Sequence, residues 1–490
     1  MTSFVEVARR EKLAELVKRG VAPYAYAFAR TATACAALEG YKDGDETRHR
    51  LAGRLVALRP HGKTTFGHLA DQSGKIQLYF KRDTLGDALY ELVDLLDLGD
   101  WIGVEGPLFR TKTGEITLRV DAVSLLAKSL RPLPLGKEDA QGVRHGELAD
   151  PELRARQRYA DLAVHPEVRE VFRLRARLVS GIRRFLDGRG YLEVETPVLQ
   201  PLYGGATAQP FITHYDALDA NFYLRIADEL YLKRCIVGGL ERVYEIGHDF
   251  RNEGMDRFHN PEFTMAEWYE AYADYEGMRE LTEAMLAGLV LELFDTPTLE
   301  RHGATLSFQR PFARKDFYTL VKDTAGVDLA RTTEPELRAL LQRRGVAEAE
   351  QLNGAKLVDE VFKTFAEPTL VQPTFVLDYP VALSPLAKRK RGDPNKVERW
   401  ELFVLGRELA NAFSELNDPD EQRRRFEEQA RFRAAGDAGA QRLDEDYIRA
   451  LEYGMPPTGG VGLGLDRLTM ILADQPNIRD VILFPMLRPE

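Results

Sequence analysis

Short runs of alternating hydrophobic and polar residues fill the chain from about residue 50 to residue 127. The runs RLAGRLVAL, GKIQLYF, WIGVEGPLF and GEITLRVDAV are typical of β-strands, and the turn signals DQSG and KTGE separate some of them. A helical stretch lies near 86–97. About five short strands in so few residues predict a small β-barrel of the oligonucleotide-binding (OB) type.

Apolar residues spaced by three and four positions predict helices on both sides of this barrel. Residues 4–20 form the first amphipathic pattern, which ends at Gly20 with Lys18 and Arg19 in its last turn. Further helices are predicted at 166–189, 276–293 and 443–454, and a helical insertion at 332–366. Strands of a larger sheet are predicted around 222–233, 243–250, 262–272 and 372–379, and a glycine-rich strand or turn at 456–474 leads into a last helix.

These patterns and the composition indicate a multidomain globular protein. We expect an N-terminal helical extension at 1–49, an OB-fold domain at 50–130, a Pro-punctuated linker at 131–165 and a larger domain at 166–490. Of the 490 residues, 44% are hydrophobic and 29% charged, which argues against disorder. No run of about 18 uncharged apolar residues exists, and the start, MTSFVEVARREK, lacks the apolar core of a signal peptide. We therefore expect a soluble, cytoplasmic protein without a membrane partner.

Charge is distributed unevenly along the chain. The net charge of −10 argues against nucleic acid as a partner. Residues 1–130, however, hold 19 basic and 17 acidic side chains, whereas the remainder holds 48 and 60. The front of the chain can therefore contact RNA, and no DNA partner is expected. Cys35 and Cys235 are too far apart in the sequence to suggest a zinc cluster or a disulfide framework.

Two glycine-containing motifs fail as nucleotide-binding loops of other folds. GKTT at 62–65 resembles the end of a P-loop, but Ala57 stands where that motif requires glycine. GGVGLG at 459–464 does not fit the Rossmann pattern G-x-G-x-x-G. Neither run therefore predicts a phosphate-binding loop.

Three other segments carry the functional signal. They are GYLEVETPVL at 190–199, YEIGHDFRNEG with HNPEFTMAEWY at 244–269, and GLGLDRL at 462–468. They resemble motifs one, two and three of class II aminoacyl-tRNA synthetases. With YLRIADELYLKR, ELNDP and RDVILFP, the whole chain resembles a lysyl-tRNA synthetase of the class II, bacterial type. The resemblance implies an α+β fold, in which an OB-fold barrel precedes a catalytic domain with an antiparallel sheet flanked by helices.

The reaction that this resemblance implies joins two anions. The carboxylate of lysine attacks the α-phosphate of ATP, and the lysyl group then moves to the 3′ end of lysine tRNA. The carboxylate is ionised at pH 7, so no general base is needed, and catalysis should depend on arginines, magnesium and positioning. By resemblance, Arg251 bridges the carboxylate and the α-phosphate, and Arg467 holds the terminal phosphate. A planar guanidinium with five donors suits this task.

Further ATP contacts follow from the same resemblance. Glu253 and Phe263 match the positions that contact adenine, and His259 lies near the phosphates. Glu401 and Glu408 match the carboxylates that hold Mg²⁺ bound with ATP. Their spacing of seven residues places them on one face of a helix, or lets them converge from a strand and a neighbouring turn.

A lysine site requires anionic groups for two ammonium groups. The positions that match the family's lysine site are Gly205, Glu229, Glu267, Tyr269, Asn411, Phe413, Glu415 and Gly464. By resemblance, Glu229 and the Gly205 backbone serve the α-amine, while Glu415 and Tyr269 serve the ε-amine; the ammonium that Glu267 serves stays open. Aspartyl and asparaginyl synthetases share this architecture, but an acidic pocket repels aspartate and therefore favours lysine.

The barrel and motif one supply the remaining expectations. Phe66, Gln77 and Glu115 match positions that contact the anticodon, where an aromatic ring stacks on a splayed base. Pro197 matches the interface of a homodimer.

The chain departs from the family pattern at two positions. His248 stands where arginine is usual, which puts one phosphate or tRNA contact in doubt. Ala412 stands where many bacterial members have glycine, and we expect little effect from it.

Two alternatives compete with a lysine–tRNA ligase. One is a paralogue that attaches lysine-like groups to a translation factor, but that family lacks the barrel. The other is a synthetase-like RNA-binding or regulatory protein without ligase activity, in which motif arginines or carboxylates would be degraded. Arg251, Arg467, Glu401 and Glu408 are all present, so the ligase is favoured.

Overall fold

The computed structural model describes residues 3–138, 144–434 and 443–489. The chain divides into two compact units. The first contains Met1–Asp150 and Tyr159–Val164, and the second contains Pro151–Arg158 and His165–Glu490. None of the helices in the described ranges is long and apolar enough to cross a membrane.

The first unit is mostly β-structure. Its elements are α1 Phe4–Lys18, α2 Ala34–Glu39, β1 Arg48–His61, β2 Thr64–Ala70, β3 Lys75–Lys81, α3 Arg82–Leu95, β4 Trp101–Arg110, β5 Ile116–Val120, β6 Ala122–Ala127, β7 Leu135–Glu138 and β8 Arg144–Glu147. Two short helices follow in the chain: α4 Pro151–Arg156 belongs to the second unit, and α5 Arg158–Val164 belongs to the first unit except for Arg158. The segment expected as a linker at 131–165 thus contains a β-hairpin and two helices. Helix α1 ends as predicted, because Gly20 has a φ of +74° and the Val21 amide donates to the Leu16 carbonyl.

A closed barrel forms because β1 pairs with both β2 and β4. The strand order is β1-β2-β3-β5-β4, with only β3 and β5 parallel. Strand β5 pairs with residues 108–110 of β4, and β6 continues along the same edge by pairing with residues 101–105. Leu55, Leu69, Leu78 and Val104 lie fully buried in its interior. The predicted OB-type barrel is confirmed, and the rejected P-loop segment is a tight turn that leads into β2.

The second unit mixes helices with a large sheet. Its strands are β9 Leu192–Glu193, β10 Leu199–Gln200, β11 Ile212–Tyr215, β12 Ala220–Leu224, β13 Arg242–Phe250, β14 Glu262–Ala271, β15 Thr298–Arg301, β16 Ala304–Ser307, β17 Ala313–Asp316, β18 Thr374–Leu377, β19 Arg389–Lys390, β20 Asp393–Val397, β21 Arg399–Val404, β22 Arg407–Ser414 and β23 Thr458–Gly464. Its helices are α6 Pro166–Asp187, α7 Glu229–Val237, α8 Tyr275–Phe294, α9 Phe317–Ala325, α10 Glu334–Arg343, α11 Gly354–Phe365, α12 Pro419–Ala434, α13 Glu445–Glu452 and α14 Leu465–Leu472. Short 3-10 turns lie at Asp216–Leu218, Ala347–Glu350, Glu367–Thr369, Val381–Leu383 and Ile478–Asp480.

Eight strands form the central sheet, in the order β17-β18-β21-β22-β23-β14-β13-β9. Neighbouring strands are antiparallel except at the two edges, where β17 pairs with β18 and β9 pairs with β13 in parallel. Each parallel pair is connected by a long crossover, which a parallel pair requires. The predicted antiparallel sheet flanked by helices is therefore confirmed for its centre, and its edges are mixed.

Helices α6, α8 and α14 pack against one face of this sheet. The buried core between them includes Leu178, Ile182, Leu186, Trp268, Leu286, Leu289, Trp400 and Leu468. Trp400 also donates its indole N–H to the Tyr275 carbonyl at 2.7 Å, which satisfies its one polar atom. Helix α7 packs on the opposite face over β13 and β14, and the remainder of that face is left for a functional site.

The prediction of a strand at 222–233 is wrong in its second half. Strand β12 ends at Leu224, and helix α7 begins at Glu229. The side chains of Leu232 and Ile236, four residues apart, are buried together on one side of this helix. Moreover, β12 pairs with β10 and β11 in a separate three-stranded sheet and not in the large one.

We expect Gly181→Ala to destabilise the second unit. A Cβ at Gly181 would lie 2.4 Å from Leu289 Cδ2, because α6 and α8 approach closely there. The overpacking should lower the free energy of unfolding by about 1–3 kcal/mol in denaturant titrations. Gly288→Ala is the matched control, since it meets no atom within 4 Å and gains helix propensity. Equal effects of the two substitutions would contradict this packing.

Candidate active site

A cavity of about 420 Å³ lies beside α7 on the face of the central sheet opposite to α6, α8 and α14. Most of the residues predicted to bind ATP or lysine line it. They are Gly205, Glu229, Arg251, Glu253, His259, Phe263, Glu267, Tyr269, Glu408, Asn411, Phe413, Glu415, Gly464 and Arg467. Among the predicted catalytic-domain ligands, Glu401 is not in the cavity lining.

The register between β14 and β23 brings several of these residues together. On β14, Met265, Glu267 and Tyr269 alternate with core residues and face Gly464, Gly462 and Gly460 of β23 in that order. A Cβ at Gly460 would lie 2.3 Å from Tyr269 Cε1 and 2.3 Å from Glu415 Oε1. The alternating glycines therefore form a floor without side chains. The pattern GGVGLG, which fits no Rossmann loop, reflects this floor.

Arg251 lies at one end of the cavity, without an ion-pair partner among the described residues. Its guanidinium carbon is 5.0 Å from the ring centroid of Phe263, and its closest acceptor is the Ile226 carbonyl at 3.4 Å. A cation that is held over an aromatic ring but not neutralised is suited to bind an anion. Glu253 lies exposed beside it.

Arg467 and His259 form a second polar contact at this end. Arg467 donates to the Glu408 carbonyl at 2.8 Å, and its Nη2 lies 3.2 Å from His259 Nε2. Because a guanidinium can only donate, Nε2 accepts, and Nδ1 carries the proton shared with Asp256 at 2.8 Å. Asp256 thereby fixes the orientation of the imidazole.

The opposite end of the cavity is acidic and buried. Glu229, Glu267 and Glu415 are each at most 6% exposed. Burial raises the pKa of all three carboxyl groups, that of Glu415 to about 8, and Lys233 opposes the shift for Glu229 and Glu415. The Tyr269 hydroxyl donates to Glu267 Oε2 at 3.2 Å. This end of the cavity therefore favours a cationic group.

Sequence reasoning missed Lys233. Its ammonium is fully buried and forms ion pairs with both Glu229 and Glu415. The spacing of Glu229 and Lys233, four residues apart, is a helical ion-pair signal, but the segment was predicted as a strand. The error in secondary structure thus hid a charged residue of the site.

A second buried charge cluster lies behind Glu267. Arg225 is 1% exposed and forms ion pairs with Asp228 at 2.8 Å, with Asp249 at 3.4 Å and with Glu245. The carboxylates of Asp228, Asp249 and Glu267 approach within 4.8 Å of one another. Burial, with the neighbouring carboxylates, raises the pKa of Asp228 to about 9 and that of Asp249 to about 6. These residues were also missed.

Arg399 is a further missed residue in the cavity lining. Its Nε donates to Asn411 Oδ1 at 3.0 Å, and its guanidinium lies 5.5 Å from the Phe413 ring centroid. It also pairs with Glu401. Arg399 therefore holds Asn411 and Glu401 in fixed positions across the β21–β22 hairpin.

Glu401 and Glu408 lie on neighbouring antiparallel strands, so the helical alternative is wrong. Glu401 accepts from the Tyr379 hydroxyl at 2.6 Å, while Glu408 is half-buried and its carboxylate lies 3.5 Å from the Arg467 guanidinium. Burial raises the pKa of Glu401 to about 7, Arg399 opposes this shift and Glu408 adds to it. Glu367, also missed, has its pKa raised to about 7 by burial and then by these two carboxylates. An acidic oxygen-ligand set of this kind fits a divalent cation.

The predicted anticodon residues lie on one surface of the barrel. The Phe66 ring on β2 is 5.0 Å from the Tyr79 ring, which is 5.8 Å from the Phe109 ring. Gln77 Nε2 donates to Glu115 Oε2 at 2.6 Å beside this row. The row of half-buried rings, of which Tyr79 and Phe109 were missed, is suited to stack on bases.

The remaining predicted positions lie outside the cavity. Pro197 is exposed between β9 and β10, next to exposed Val198 and Leu199. His248 is exposed on β13 and pairs with Glu262 at 2.7 Å. Ala412 points into the helix-packed core, 1% exposed.

Comparisons with family models match both units. The model described as "tRNA synthetases class II (D, K and N)" matches residues 150–488. The model described as "OB-fold nucleic acid binding domain" matches residues 49–126. The fold and the cavity thus define a class II aminoacyl-tRNA synthetase.

Individual relatives identify the family within this class. A lysine–tRNA ligase of Carboxydothermus hydrogenoformans is 51% identical over 482 residues, which covers 98% of this chain and 97% of the relative. The lysine–tRNA ligase of Moorella thermoacetica is 51% identical with the same coverage, and that of Syntrophomonas wolfei is 50% identical over 99% of this chain and 97% of its own length. The chain belongs to the lysine–tRNA ligase family.

We expect Asp228→Asn to remove a pH-dependent loss of stability. Burial and the neighbouring Asp249 raise the pKa of Asp228 to about 9 in the folded state, whereas in the unfolded chain this pKa is about 4. Stability of the native chain should therefore fall as the pH rises from 5 to 8, relative to the variant, by up to about 1.4 kcal/mol per pH unit.

Denaturant titrations at each pH check this expectation. Asp295→Asn is the control, because Asp295 is exposed and has a φ of +58° that asparagine tolerates. A constant stability difference between native chain and Asp228→Asn across this range would show that Asp228 is ionised when folded.

Proposed function

We propose that the chain activates L-lysine with ATP and transfers the lysyl group to the 3′ end of lysine tRNA. One observation carries the proposal: a single cavity has at one end Arg251, which has no ion-pair partner in the described part of the chain, and at the other end three buried carboxylates. The positive charge of Arg251 is complementary to that of a carboxylate or phosphate. The carboxylates of Glu229, Glu267 and Glu415 are complementary in charge to the two ammonium groups of lysine.

Formation of the adenylate needs positioning and charge stabilisation rather than proton transfer. A carboxylate oxygen of lysine bonds to the α-phosphorus of ATP, the bond from that phosphorus to the bridging oxygen breaks, and pyrophosphate leaves. Arg251 would contact the attacking carboxylate and the α-phosphate, where negative charge develops. Arg467, oriented by Glu408 and close to His259, would hold the terminal phosphate.

The nucleotide base and the metal have their own groups in this proposal. Phe263 would stack on adenine with Glu253 beside it. Glu401 and Glu408 would hold Mg²⁺, and Glu367 adds a third carboxylate to the set. When bound, the ion neutralises phosphate charge.

Transfer completes the reaction. A hydroxyl of the 3′-terminal adenosine attacks the carbonyl carbon of lysyl-adenylate, AMP leaves, and the hydroxyl proton is released. The aromatic row that includes Phe66, together with Gln77 and Glu115, would bind the anticodon. Exposed apolar residues around Pro197 would form the interface of a homodimer. The enzyme would work in the cytoplasm, with its tRNA.

Amino-acid-dependent ATP–pyrophosphate exchange tests the proposed function without tRNA. Each standard amino acid is assayed separately with Mg²⁺ present. Exchange with lysine alone is expected, because only lysine supplies two ammonium groups to the acidic end. Exchange with a different amino acid, or no exchange by folded protein, would contradict the proposal.

We expect Glu415→Gln to raise the KM for lysine by about 10²-fold or more, because it removes a carboxylate that faces the ε-ammonium. The KM for ATP should change less than threefold, since Glu415 lies at the acidic end of the cavity. Pyrophosphate exchange gives both constants. If both rose equally, Glu415 would not be a lysine ligand.

We expect Phe66→Ala to impair tRNA charging about 5- to 150-fold and to leave adenylate formation nearly unchanged, because a stacked base is worth about 1–3 kcal/mol. Charging of lysine tRNA and pyrophosphate exchange are compared in the same preparation. Trp101→Ala is the control, since that aromatic of the same barrel lies under the Arg54 guanidinium and outside the row. Parallel losses in both assays would contradict an anticodon role.

A further inference from the structure

Lys233 has an unusual position for a lysine side chain. It projects from α7, is 0% exposed and forms ion pairs with the carboxylates of Glu229 and Glu415. Both carboxylates line the cavity, whereas Lys233 does not. The ammonium therefore lies behind the lysine site and contacts two of its three acidic residues.

The other side of Glu415 faces the cavity. Its Oε2 contacts Lys233, and its Oε1 lies close to the bare backbone of Gly460. Lys233 is fixed to the helix that also carries Glu229, so it connects α7 to the end of β22. One cation thus holds the two carboxylates side by side and leaves one oxygen of Glu415 towards the cavity.

The charges of these four side chains suggest a function for the arrangement. Glu229, Glu267 and Glu415 carry three negative charges when ionised, and Lys233 returns one positive charge. The remaining charge of −2 equals the charge of two ammonium groups with the opposite sign. Without Lys233, two adjacent buried carboxylates cannot both stay ionised, because like charges in a buried site favour a proton on one of them.

We propose that Lys233 is a specificity-determining positioning residue, which favours ionisation of Glu229 and Glu415 and so matches the charge of the acidic end to the two ammonium groups of the amino acid when it binds. This inference rests on the proposed activation of lysine. Lys233 acts through the two carboxylates and touches no reacting atom.

Other charged or titratable groups face the same cluster. They are Tyr447 of α13, Tyr269 and Glu267 of β14, and Arg399 of β21. Burial disfavours the charge of Lys233, but Glu229 and Glu415 outweigh it and raise its pKa above the usual value. Burial raises the pKa of Glu415 to about 8 even though Lys233 opposes the shift, so loss of Lys233 would raise this pKa further. Lys233 therefore stays charged over the range in which Glu415 titrates.

Lys233→Met tests the inference, because methionine retains much of the length without the charge. The KM for lysine is measured by pyrophosphate exchange from pH 6 to pH 9 for variant and wild type. Their ratio at each pH cancels the ionisation of free lysine. We expect a ratio of about tenfold or more at pH 7 that shrinks towards pH 9, since a shift of one unit in a carboxyl pKa changes the ionised fraction about tenfold. The KM for ATP should stay within about threefold.

A purely structural role gives a different result. It would raise the KM for lysine by the same factor at every pH, or raise both KM values together, and either outcome would overturn the inference. Lys128→Met is the matched control, because Lys128 is also fully buried and bridges Asp97 and Asp100, in the first unit. Its KM ratio for lysine should be near one at every pH.

Lys233→Arg provides an independent test if the methionine variant does not fold. It keeps the positive charge, so its pH profile for lysine should follow the wild type. A pH-dependent ratio like that expected for Lys233→Met would contradict the inference. Absence of lysine-dependent exchange in the wild type would instead overturn the proposed function itself, so the two failures are distinguishable.

Discussion

Burial of negative charge at one end of a cavity is the constraint on which the rest of this structure depends. Three carboxylates that water cannot reach are unfavourable unless cations compensate them. Lys233 supplies one compensating charge from within the fold, and Arg225 does so for the cluster behind Glu267. The negative charge that remains uncompensated favours ammonium groups in the cavity. Helix α7 and the strands of the central sheet hold these negative and positive groups next to one another.

The central sheet contributes side chains to both the core and the cavity. One face of β14, β22 and β23 packs against helices, and the other presents acidic, aromatic and amide side chains over a floor of glycines. Because side chains alternate between the two faces, the same strands build the core and the cavity. A single substitution on the glycine floor, such as at Gly460, would meet both Tyr269 and Glu415.

Much of this could be predicted from the sequence, and the failures have physical reasons. The barrel and the helices of the insertion follow from hydrophobic periodicity, and the convergence of Arg251, Glu415 and Arg467 follows from the resemblance to the family's motifs. Lys233 and Asp228 were missed, because apolar residues around them fit a strand as well as a helix over so few positions. Local spacing also cannot show that Arg225 and Glu245, 20 residues apart, pair in the interior. Such contacts depend on tertiary packing.

The number of protons released when lysine binds tests the central claim most directly. Isothermal titration calorimetry in buffers of different ionisation enthalpy gives this number for the wild-type protein at each pH. With the pKa of Glu415 raised by burial to about 8, binding of the two ammonium groups of lysine at pH 7 should release about one proton per lysine or more, and fewer above pH 8. No proton release at any pH between 6 and 9 would show that the acidic end is fully ionised before lysine arrives, and would contradict the account.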